Sequence, residues 1–174
     1  MDYAGFGGRI MIIGSCGSGK TTLALELGEI VKIPVIHLDK EFWRAGWKET
    51  PKLEWLEKQR ALAAGETWII EGNYGGSLEI RLERADTVIF LDYNRYVCAF
   101  RVLKRWLQNL GKTRADMADG CKEKMDWEFL RFVWQFPAVS RPKIIEKLKE
   151  YGGVTVIAMK NPKETRRFIE NINK

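Results

Sequence analysis

No segment of this chain narrows its fold as much as Gly14-Ser15-Cys16-Gly17-Ser18-Gly19-Lys20-Thr21. Every position fits G-x-x-x-x-G-K-[ST], and both flanks are the ones that pattern needs. Before it runs the apolar stretch Arg9–Ile13. After it, Lys20 to Val31 repeats with helical period and puts Leu23, Leu27 and Ile30 on one stripe. A strand that turns on glycines into a helix aims backbone N–H groups and the helix's partial positive charge at one point, which suits a phosphate. Gly14 to Thr21, with Thr22 in the first helical turn, therefore reads as the cradle of a nucleoside triphosphate such as ATP. Lys20 would reach the β- and γ-phosphates, and the Thr21 hydroxyl would ligate Mg²⁺. Cys16 reads as a small neutral filler of the loop; a thiol activated by the helix N-terminus is the alternative.

The rest of the chain repeats the strand–helix alternation. Pro34–Leu38, Thr67–Ile70, Thr87–Leu91 and Val154–Ala158 are short apolar runs. Helical patterns cover Leu53–Ala64, Leu78–Arg84, Arg95–Leu110 and Pro162–Ile172, with two more at Trp127–Phe136 and Lys143–Tyr151, separated by Pro137 and Pro142. Five such strands predict an α/β fold, a P-loop three-layer arrangement of a parallel sheet covered by helices on both faces. With 174 residues, 45% hydrophobic and 30% charged, the chain is expected to be one P-loop domain spanning 1–174. The polar stretch Lys112–Met125 lacks a core pattern and is expected to be a lid, an insertion at about 111–126. The aromatics of Trp127–Phe136 are expected in the core. Cys16, Cys98 and Cys121 lack disulfide or zinc spacing, which points to a reducing cytoplasm. No apolar run approaches the roughly 18 residues of a membrane span, and no signal-peptide pattern opens the chain.

In open α/β sheets the ligand crevice lies beyond the carboxyl ends of the strands. Asp92 follows Val88-Ile89-Phe90-Leu91, a Walker-B pattern, and is expected to hold Mg²⁺ directly or through water. Asp39, after Ile36-His37-Leu38, would orient a hydroxyl acceptor and take its proton, or else only contact Mg²⁺ or a ribose. His37 reads as a hydrogen-bonded core residue. Glu71, Asn73 and Tyr74 flank a glycine turn facing the same crevice and would contact the acceptor, or serve the turn itself. Arg81 and Arg84 would suit an anionic acceptor. Arg95 to Lys149 holds 13 Lys/Arg against 6 Asp/Glu, a balance of +7 within a net charge of +6. Arg101, Lys104 and Arg105 share a helix face there, and Arg101, Arg105 and Arg114 are candidate cations for a migrating phosphoryl group.

Taken together, the sequence resembles the bacterial DNA topology modulation proteins (FlaR-type), small P-loop proteins of the adenylate-kinase-like assembly. The likeness rests on GSCGSGKTTLA at 14–24, IPVIHLDKEFW at 33–43, WIIEGNYGG at 68–76 and RLERADTVIFLD at 81–92. It continues in RVLKRW at 101–106, TRADMADGCKEK at 113–124 and RPKI at 141–144. It implies a five-stranded parallel sheet in the order 2-3-1-4-5 with a nucleotide-kinase-like lid. One functional reading is transfer of the γ-phosphate of Mg·ATP to a small-molecule acceptor. The other is a nucleotide-dependent DNA-binding protein or NTPase that uses the basic segment, although no DNA-binding motif is present.

Overall fold

The computed structural model describes residues 5–123 and 126–173. Lys124 and Met125, the end of the expected lid, lie outside them. Five parallel strands form the central sheet: β1 (Arg9–Gly14), β2 (Val35–His37), β5 (Trp68–Glu71), β6 (Thr87–Leu91) and β7 (Thr155–Met159), in the order β2-β5-β1-β6-β7. Numbered among themselves, this is 2-3-1-4-5, the expected order. Strand alternation divides the core. Ile10, Ile12, Ile69, Ile89 and Leu91 pack on one face with Leu23 and Leu27 of α1 (Lys20–Val31), Cys98 and Val102 of α5 (Arg95–Asn109), and α7 (Pro162–Ile172). Met11, Ile13, Ile70, Val88 and Phe90 pack on the other with α3 (Lys52–Ala63) and α4 (Leu78–Leu82). At roughly 1.5–3 kcal/mol per fully buried aliphatic side chain, these two layers fix the sheet that carries the site.

Three expectations give way. Residues 127–151 do not form two helices: α6 is one helix, Trp127–Glu150, with Pro137 and Pro142 inside it. Each proline removes a helical hydrogen bond, but α6 packs Val133 into one core layer and Phe136 and Ile144 into the other, and this packing outweighs the loss. Its aromatics are not all core, since Trp127 is 73% exposed and Phe132 and Trp134 are 45% and 43% exposed. Finally, Asp39 does not end a strand. It lies in a short helix α2 (Leu38–Phe42), followed by an antiparallel hairpin of β3 (Trp43–Arg44) and β4 (Lys48–Glu49) in what reads from sequence as a loop. Among the described residues no helix is long and apolar enough to cross a membrane.

Candidate functional site

The carboxyl ends of the strands open on a cleft of about 1550 Å³. Cys16 through Leu23 form its floor. Glycine is required at Gly14, whose φ is +146° and where a Cβ would lie 2.5 Å from the Leu91 carbonyl oxygen. At Gly17 (φ +80°) a Cβ would strike the Cys98 carbonyl. Lys20 Nζ donates to Ser15 O at 3.1 Å, and the Ser18 hydroxyl, 1% exposed, has no partner among the described residues. Burial pushes the Cys16 thiol up, so it is not a ready thiolate.

Around Thr21 the structure brings together groups far apart in sequence. Its hydroxyl donates to Glu71 Oε1 at 3.1 Å, with Asp116 Oδ2 at 3.4 Å. Glu71, at the end of β5, also accepts from His37 Nδ1 at 2.9 Å, and that hydrogen bond raises the imidazole pKa against the opposing effect of burial. A hydroxyl between two carboxylates is an all-oxygen donor set that fits Mg²⁺, which keeps its other positions for phosphate oxygens and water. Among the described residues no three acidic, histidine or cysteine side chains gather into a metal site of their own.

Asp39 and Tyr74 meet on the β2–β5 side of the P-loop. Tyr74 adopts left-handed φ/ψ of 40° and 60°, unusual for a bulky residue, and its hydroxyl donates to Asp39 Oδ1 at 2.7 Å. Burial raises the Asp39 pKa despite the Tyr74 bond, and burial plus the Asp39 charge raise that of Tyr74, which therefore stays a donor. Two neighbours that sequence places at the acceptor serve the scaffold instead. Asn73 exchanges two bonds with the backbone of Gly14, Oδ1 accepting at 2.9 Å and Nδ2 donating at 2.6 Å, which pins the start of the P-loop. Arg81 is fully buried and absent from the cleft wall, its guanidinium donating to Gly72 O at 2.8 Å and Asn73 O at 2.5 Å. It shapes the glycine turn from behind the cleft wall.

The candidate arginines line the cleft. Arg101 donates to Ser18 O at 3.1 Å and lies over the Tyr93 ring. Arg105 and Arg114 both pair with Glu123, at 3.3 and 3.0 Å, and Arg114 also reaches Asp116 at 3.1 Å. The segment after α5 is not free of core: Met117 and Cys121 are buried, and three bonds clasp it to the β3–β4 hairpin. Gly46 N donates to Gly120 O, Trp47 Nε1 to Lys122 O and Cys121 Sγ to Arg44 O.

Asp92 departs from its expected role. Its carboxylate is absent from the cleft wall and is held by Arg141 at 2.7 and 2.8 Å and by Lys160 at 2.5 Å. Burial pushes its pKa up, but the Arg141 and Lys160 hydrogen bonds and charges outweigh this and hold it below the usual aspartate range. Asp92→Asn is therefore expected to destabilise the fold by about 2 kcal/mol, discounted for the solvent around Lys160, while leaving any Mg²⁺ requirement unchanged. Since the folded pKa is depressed, this stabilisation is present above the ordinary aspartate pKa and is lost as pH falls through the lower one. Thermal melts at pH 7 and pH 3 check it; a tenfold change in Mg²⁺ requirement would return Asp92 to the metal site.

Sequence reasoning missed Asp116 and Glu123 as site groups, and it named Glu71 for the acceptor without its contacts to Thr21 and His37. The sequence signals for the first two are the acid–base alternation of residues 114–123 and the resemblance carried by 113–124.

Comparison with protein-family models and with curated proteins returns no match. Solved structures do match. The shikimate kinase of Acinetobacter baumannii in complex with shikimate is 15% identical, with a TM-score of 0.58 over 95% of this chain and 90% of that one. A gluconokinase from Sinorhizobium meliloti is 18% identical at 0.58, over 96% and 90%. A deoxyadenosine kinase from M. mycoides is 14% identical at 0.52, over 94% and 95%. At these identities the likeness establishes the fold, that of P-loop small-molecule kinases.

Proposed function

We propose that this protein is a P-loop kinase that transfers the γ-phosphate of Mg·ATP to the hydroxyl of a small molecule. The observation that carries the reading is one cleft holding two separate sets of groups. The P-loop, with Thr21 between Glu71 and Asp116, lies at its centre, and the half-buried Asp39–Tyr74 pair stands on the β2–β5 side. In this reading the P-loop N–H groups and Lys20 hold the β- and γ-phosphates, while Thr21, Glu71 and Asp116 hold the cation. Bound there, Mg²⁺ would supply positive charge against the phosphate groups. Asp39 takes the proton as the acceptor oxygen bonds to the γ-phosphorus and the bond to the ADP oxygen breaks. Tyr74 orients the Asp39 carboxylate, and Arg101, Arg105 and Arg114, the last two from the lid side, balance the charge that spreads over the transferring group.

The kinship with the DNA topology modulation group belongs to this proposal, with phosphoryl transfer as the chemistry in place of an action on DNA. The test follows labelled γ-phosphate from Mg·ATP into pooled nucleosides, nucleoside monophosphates and hydroxylated metabolites. A labelled small molecule is expected. ATP turnover indifferent to these pools but stimulated by DNA would overturn the reading in favour of a DNA-linked NTPase.

A further inference from the structure

We infer that the acceptor carries no anionic group and presents a flat or ring-shaped face, a neutral hydroxyl compound of nucleoside or sugar type; the inference rests on the kinase reading above. The sheet order sets the two ends of the cleft apart, with β2 and β5 on one side of the P-loop and β6 and β7 on the other. Toward β6 and β7 the wall is Tyr93, Arg101, Pro162, Thr165 and Arg166, which leaves the β2–β5 end to the acceptor.

Among the described residues, every cation of that end except Lys143 is already engaged. Arg114, assigned above to the transferring group, is paired with Asp116 and Glu123 and is not spare for the acceptor, and Lys147 is paired with Glu79 and the Gly75 carbonyl. Arg81 is buried behind the turn with its guanidinium on two backbone carbonyls. Lys143 is an exposed lysine on α6, a point charge on a flexible stem without the guanidinium fork that fixes a phosphate or carboxylate. Against it stand the carboxylates of Asp39 and Glu49, both on the cleft wall. An acceptor phosphate or carboxylate would meet like charge and find no open guanidinium.

What the end offers instead is aromatic surface. Trp43, Trp47 and Tyr74 line the cleft and are held by edge contacts through Phe42 and Trp55, with ring centroids 4.9–5.4 Å apart. The indole N–H of Trp47 is tied at 2.9 Å to the Lys122 carbonyl, which fixes the ring. A fixed aromatic wall beside a hydroxyl-activating carboxylate suits the face of a base or of a sugar ring.

The experiment compares matched pairs: nucleosides with their 5′-monophosphates, and aldoses with the corresponding aldonic acids. Transfer is followed from labelled Mg·ATP, and binding by ligand-observed NMR in the presence of a non-hydrolysable ATP analogue. The neutral member of a pair is expected to have the higher kcat/KM by at least tenfold. Glu49→Lys should narrow that preference severalfold, and Trp47→Leu should raise the acceptor KM about tenfold with nucleotide affinity unchanged. Preferred or equal transfer to the anionic members would overturn this inference and leave the kinase reading standing. Binding of neutral members alone, weakened by Trp47→Leu but with no transfer to anything, would support the inference about the pocket and bring down the kinase reading. Binding of anionic members in preference, or of neither member, would overturn the inference whatever the activity.

Discussion

Lys20→Ala is expected to lower phosphoryl transfer about a thousandfold, the scale of removing a preorganised donor from a developing anion. Its ammonium is the one P-loop side chain that reaches across the loop, and its partner in the structure is the Ser15 carbonyl, a contact that phosphate oxygens would replace. Because Lys20 is only partly buried and forms no ion pair among the described residues, the melting temperature should shift by no more than about 2 °C. Single-turnover transfer and a thermal melt of the same preparation check both halves. Retained transfer would remove the P-loop from the chemistry, and loss of the fold would void the comparison.

Asp39→Asn is expected to lower kcat by about 10²–10⁴-fold, the usual worth of a positioned general base, with little change in nucleotide affinity. Its pH signature separates a base from a mere contact. Burial raises the Asp39 pKa, so the carboxylate that accepts the proton is lost as pH falls through a value above the ordinary aspartate range. The kcat profile should therefore show an acidic limb displaced upward, and Asp39→Asn should flatten it. Tyr74→Phe removes the one hydrogen bond that favours the charged form, so it should move the limb further up without abolishing transfer. An unshifted limb in Tyr74→Phe would detach the tyrosine from the carboxylate.

What the sequence made legible were the features whose causes are local. The P-loop is contiguous, and the unbroken apolar run Arg9–Ile13 marks a buried strand, whose Ile10 and Ile12 enter one core layer and Met11 and Ile13 the other. Asp92 misled because a Walker-B pattern describes a strand and says nothing of where the carboxylate's partners lie. Arg141 and Lys160 are 49 and 68 residues away and reach it only once α6 and β7 are in place. Pro137 and Pro142 misled for the opposite reason, since their local cost is real and is overridden by packing on both core layers. Arg81 looked like an anion clamp because its chemistry suits one, while burial behind the turn depends on the whole chain. Asp116 lies within the stretch 113–124 that carries part of the resemblance, but no apolar period assigns it a role, and its contact with Thr21 is what reveals one.

In the proposed kinase, the three bonds between the hairpin and residues 120–122 would make the acceptor's wall and the segment after α5 a single mechanical part. Opening at either end strains the same seam. Release of the two products is then expected to be coupled through that seam.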